Sequence, residues 1–343
     1  MTRQVKHIQL HRIGPTELRV VSDVDEGVLA IVQQEEAVLR AYSAREAWPH
    51  RLVSLYILED LQPLARQLKG GALPAGGAGA LDTRTVVNLF DLADPSACHI
   101  FVNQQAMVRA AYWEDMLAVR GLLAHEHAHP LAENATTRAS RSLKVQLTLE
   151  RSAGTTTEQQ SRLERLLTLL IEQLCLYAPR ELFTNEWAIR SGFAPALLHL
   201  NQRNVTNACQ SVVGRMRLSE VLQQEVAAGK RPAEAVGQLL LAGDLESHLP
   251  LALEIVPFVR AGQIAAARTL ETVLEAVLFP QLEPQVAPAY AALTRLYTEL
   301  SAAFGPVELQ TWGQQVADSV LAALHAQGVV VRCTLHQIPD ASA

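Results

Sequence analysis

His125, Glu126 and His129, set in the run His125-Glu126-His127-Ala128-His129, are the residues whose types and spacing could do chemistry. Two histidines four apart on an α-helix project from one face, so both imidazoles can bind one metal ion. Glu126 stands beside that stripe, where its carboxylate can reach a water on the metal and act as general base. His127 points away from the stripe and is read as a solvent-facing or supporting residue, not a ligand. A catalytic zinc needs a third protein ligand and an open position for water. Glu133 follows His125 by about 12 Å of rise on a continuous helix, too far unless Pro130 breaks it. Glu172, Glu181 and Glu186 are then the acids to weigh.

The elements that must hold these residues follow from local pattern. Glu114 and Asp115 place acids in a first helical turn, Met116, Leu117, Val119, Leu122 and Leu123 supply an apolar surface, and Pro130 ends the helix just past His129. Upstream, β-branched or alternating runs at 18–21, 52–58, 86–89 and 100–102 predict short strands, with helical spacing at 26–42 and 61–68 between them. Downstream, helical periodicity dominates at 158–177, 218–228, 264–278, 287–304 and 307–326. The tail at 328–335 returns to strand-like residues that could rejoin a sheet edge.

In Arg180-Glu181-Leu182-Phe183-Thr184-Asn185-Glu186-Trp187-Ala188 the chain resembles the gluzincin metallopeptidases, above all the small minigluzincins. The resemblance spans roughly 100–193. It implies a zincin-like α+β domain, Zn2+ as cofactor, peptide-bond hydrolysis with Glu126 as base, and His125, His129 and Glu181 as metal ligands. Asn185 and Ala188 fit the residues that follow the third ligand in that family, and Asn185 would hydrogen-bond a ligating histidine. Asn where relatives carry Asp makes that histidine a poorer base. Glu186 is the competing ligand, by analogy with thermolysin-like enzymes, although Arg190 stands where those place an aspartate. Zinc peptidases usually pair an extended substrate with a strand edge, and 99–103 is expected there. Tyr177, His199 or Tyr112 would supply an oxyanion donor.

Composition narrows the partners. The 343 residues are 49% hydrophobic and 19% charged, enough for about two domains, expected at 1–195 (zincin-like) and 196–343 (helical). A net charge of -6, spread along the chain, offers no field for nucleic acid or an anionic membrane. No signal-peptide or membrane-spanning run is apparent, so a cytoplasmic location is expected. Cys98, Cys175, Cys209 and Cys333 form no CxxC pair and read as reduced, mostly buried thiols. The glycine-rich run at 70–79 lacks the Lys-Ser/Thr of a phosphate loop and reads as a surface loop. The expected partners are a peptide or protein substrate and a second copy of the chain docked through the helical half. The alternative is a zinc-binding regulatory or interaction protein of little turnover, acting through that half.

Overall fold

The computed structural model describes residues 5–45, 48–62, 84–150 and 157–338, and is a mixed α+β molecule. The glycine-rich run and most of the expected helix at 61–68 lie outside the described residues. The chain divides into two compact units that are not sequential halves. The first comprises Met1–Ala132 with Trp187–Leu200, the second Glu133–Glu186 with Asn201–Ala343.

The first unit is built on a five-stranded mixed sheet. Its strands are β1 (His7–Ile13), β2 (Thr16–Ser22), β3 (Leu52–Leu58), β4 (Val86–Phe90) and β5 (Ala97–Asn103), in the order β1-β2-β3-β5-β4. β1 and β2 form an antiparallel hairpin closed at Ile13↔Thr16, where Gly14 takes a left-handed φ of 57° that suits a two-residue turn. β2, β3 and β5 run parallel, and β4 adds antiparallel to the outside of β5. The central strands β3 and β5 are buried along most of their length, as strands covered on both faces should be.

Helix α1 (Val28–Ser43) connects β2 to β3 and buries Val28, Ile31, Val32, Glu35, Val38, Leu39 and Tyr42. That is one stripe of period 3.6, and a glutamate sits in the middle of it. After the short helix α2 (Gln104–Arg109), helix α3 (Met116–Ala128) carries the histidine motif and packs on α1 and β4. Asp115 caps it by accepting from the Ala118 amide at 3.1 Å. On the opposite flank of α3, a Cβ built on Gly121 would lie 2.9 Å from the Ala196 carbonyl oxygen. Only glycine lets the two backbones approach so closely.

In the second unit, the short helix α4 (Ala135–Ser140) leads into β6 (Leu143–Leu149), which pairs antiparallel with β7 (Val331–Gln337). The strand-like tail therefore does rejoin a sheet, a small one of its own. Around it lie α5 (Thr157–Glu172), α6 (Ala178–Ala188), α7 (Ala194–Ala227), α8 (Glu234–His248), α9 (Ala252–Arg260), α10 (Ile264–Val273), α11 (Val286–Glu299) and α12 (Pro306–His325). Helices α6 and α7 each contribute residues to both units. The second unit is tied by partly buried polar contacts as well as apolar packing. Arg215 Nε bridges both oxygens of Asp244 at 2.7 and 3.0 Å, and its Nη2 reaches Glu283 at 2.9 Å. The Arg260 Nη1 donates to the Thr298 and Leu300 carbonyls at the end of α11, at 3.0 and 2.7 Å, meeting acceptors that a helix terminus leaves unpaired. Among the described residues no helix is long and apolar enough to cross a membrane.

Candidate metal centre

The histidine motif occupies the last turn of α3, with His129 as the C-capping residue. His125 and His129 face one another, ring centroids 4.8 Å apart and nearly perpendicular. The Glu126 carboxylate lies 3.7 Å from His129 Nε2. One ligand atom from each of His125, Glu126 and His129 falls within 4.8 Å of the others, a spacing that one metal ion can span. Glu126 and His129 are buried while His125 is partly exposed, so the group opens to solvent on the His125 side. Two imidazoles and a carboxylate suit zinc and other borderline divalent ions, so the residues present fit the metal that the motif implies.

The sequence places this turn precariously, because the last four carbonyls of a helix have no partner within it. Side chains of the same unit brace it. Tyr42 Oη donates to the Ala124 carbonyl at 2.8 Å, and Asn88 Nδ2 donates to the Glu126 carbonyl at 2.9 Å. The Asn88 backbone N–H also donates to Glu126 Oε2 at 3.1 Å. Residue 88 thus fixes both the main chain and the carboxylate of Glu126.

Asn88 belongs to β4, which among the described residues pairs only with β5 and so forms the edge of the sheet. This corrects the expectation for 99–103. β5 is interior, flanked by β3 and β4, because the chain turns at 91–96 after β4 and comes back inside it. The strand edge beside the glutamate is β4.

Of the remaining residues singled out from sequence, Glu181 and Glu186 lie on α6 in the second unit. The Glu186 carboxylate is ion-paired with Arg260 Nε at 2.7 Å, and Asn185 Nδ2 donates to the Leu253 carbonyl at 3.3 Å. His199 does not serve the metal end of α3. Its Nε2 meets Asp115 Oδ2 at 2.7 Å, at the N-cap, about 15 Å of helical rise before His125. Tyr112 is buried ahead of α3, and Tyr177 is exposed in the second unit.

His127 departs from its reading as solvent-facing. It is fully buried, and its Nε2 bonds Glu35 Oε1 of α1 at 2.7 Å. The reason lies in the helix phase: the residue pointing away from His125 and His129 faces α1 and is buried against it. One ligand atom each from His127, His50 and Cys98 also falls within 4.8 Å of the others. Burial, with the neighbouring His127 adding to it, lowers the His50 pKa to about 4 against the hydrogen bond that His50 donates to the Pro95 carbonyl. Burial, and secondarily the Glu35 carboxylate, pushes the Cys98 thiol well above its ordinary range. Sequence reasoning missed this second group because its members come from separate segments. The one available signal was Glu35, an acid in an otherwise apolar stripe. The surface depression of about 380 Å3 lined by Leu10, His11, Arg12, Pro15, Glu17 and Arg51 takes none of its walls from either group.

No family model, curated protein or solved structure matches the chain. The site geometry and the motif therefore carry the functional reading by themselves.

Proposed function

We propose that the chain is a zinc-dependent peptidase whose active site is the end of α3. The observation that carries this is the placement of Glu126. Its carboxylate sits next to the His125/His129 pair and is held by the backbone N–H of the edge strand β4. An extended peptide can add to a strand edge through main-chain hydrogen bonds, and at β4, an edge among the described residues, that would bring its scissile bond alongside Glu126. The Glu126 carboxylate would take a proton from the attacking water and deliver it to the leaving amine nitrogen. Zinc on His125 and His129 would polarise the scissile carbonyl and make water acidic enough to attack near neutral pH. Glu181 is the third ligand that the family resemblance implies. Glu186 is the weaker candidate because Arg190 stands where thermolysin-like enzymes place an aspartate.

The test is metal content per chain by plasma mass spectrometry for the wild type, His129→Ala, Glu181→Ala and Glu186→Ala, with hydrolysis of a mixed peptide library in parallel. The reading expects loss of one metal ion in His129→Ala and Glu181→Ala, retention in Glu186→Ala, and cleavage by the wild type alone or with Glu186→Ala. Zinc bound at the motif without any cleavage would favour a regulatory metal protein instead.

A further inference from the structure

The residues left unexplained by a peptidase site are buried, polar and convergent. His50 precedes β3, Cys98 lies on β5, His127 on α3 and Glu35 on α1, all in the first unit and all 0% exposed. Each imidazole is bonded on one nitrogen only. His50 Nδ1 meets the Pro95 carbonyl at 2.5 Å, which makes that nitrogen the donor and leaves Nε2 as a bare lone pair. His127 Nε2 meets Glu35 Oε1 at 2.7 Å, leaving Nδ1. Both remaining nitrogens, His50 Nε2 and His127 Nδ1, are buried without a hydrogen-bond partner. Native structures seldom leave such groups orphaned, since each costs about 1–3 kcal/mol.

One nitrogen of each imidazole and the Cys98 sulfur lie within 4.8 Å of one another. Outer hydrogen bonds to a carboxylate and a backbone carbonyl are the partners that metal-ligating histidines carry, fixing the tautomer and strengthening the donor. The scaffold around His50 is fixed as well: Trp48 Nε1 donates to Thr16 Oγ1 at 2.9 Å, and Thr16 Oγ1 donates to the His50 carbonyl at 2.9 Å.

We infer that His50 Nε2, Cys98 Sγ and His127 Nδ1 form a second metal site, closed to solvent and structural in role, for a thiolate-binding divalent ion of which zinc is the foremost. On binding, the thiol proton leaves to solvent as the sulfur–metal bond forms. The resulting thiolate and the Glu35 carboxylate together offset the two charges of the ion, so the buried cluster becomes neutral. Glu35 acts as a positioning residue through His127. This site shares a helix with the proposed catalytic site but no ligand, so each stands or falls alone.

Cobalt(II) substitution separates the two. A thiolate ligand gives cobalt an intense near-ultraviolet charge-transfer absorption, which a site made only of histidine and carboxylate lacks. The full-length chain loaded with cobalt should show this band, keep it in His129→Ala and lose it in Cys98→Ala, and in His50→Gln should bind cobalt with the band weakened or lost. Metal content should be about two ions per wild-type chain and about one in either class of variant. A cobalt-loaded wild type without the band overturns the proposal even if the Cys98 variant does not fold. A band that survives Cys98→Ala overturns it equally. One bound ion with the band would sink the catalytic site and leave this one standing; one ion without it would do the reverse.

Discussion

The two sides of one helical turn make an instructive contrast. His125, Glu126 and His129 share a face that opens at a partly exposed histidine and meets a strand edge. His127, two residues from either histidine, shares a buried interior with His50, Cys98 and Glu35. Histidine and glutamate stand on both sides, a cysteine on the closed one alone, and access to water differs. An open face can exchange a ligand and do chemistry, whereas a closed one can only hold what it binds.

The contrast can be broken most severely at the base. Glu126→Gln should cut peptide hydrolysis by about 10²–10⁴-fold while metal content at both faces stays as in the wild type. Turnover and metal analysis on the same preparation check this, and a fully active variant would remove the catalytic role from the open face. Next in size is the closed face. Glu35→Gln takes the charge from the partner of His127 and should weaken metal retention there by roughly 10–100-fold against a competing chelator, leaving the open face unchanged.

Gly121 tests whether the faces depend on the same backbone. Gly121→Val would push against the Ala196 carbonyl and should cost about 1–3 kcal/mol, read as a lower midpoint in chemical denaturation. Both faces should then lose metal affinity together, because α3 carries both. The smallest effect is expected from Tyr42→Phe, which removes the side-chain hydrogen bond to the Ala124 carbonyl and should cost about 1 kcal/mol. A stability change confined to this range, with metal content intact, would show that the turn is held redundantly by Asn88.

Much of this arrangement was legible in the sequence. The strands at 18–21, 52–58, 86–89 and 100–102 and the motif helix appear where period and capping place them. The open face was legible because its members are sequence neighbours and a helix makes spacing equivalent to direction. β1 was missed because its apolar residues Ile8 and Leu10 are the exposed ones, inverting the pattern that marks a buried face. β6 was missed although Leu143, Val145, Leu147 and Leu149 alternate cleanly, because seven such residues lie among strongly helical stretches. The closed face depends on long-range convergence of a strand, two helices and a loop, and no local period encodes that. Only the charged residue within the stripe of α1 hinted at it.

The packing of Trp48 has an optical consequence. Its indole stands edge-to-face against the His50 ring at 4.8 Å and lies 5.7 Å from that of His127, while stacking in parallel on Tyr42. An excited indole is sensitive to charge and to quenchers at such separations, so the chain carries a native fluorophore against the closed face. Trp48 emission would follow filling and emptying of that face in real time, with no label attached and without disturbing the open one.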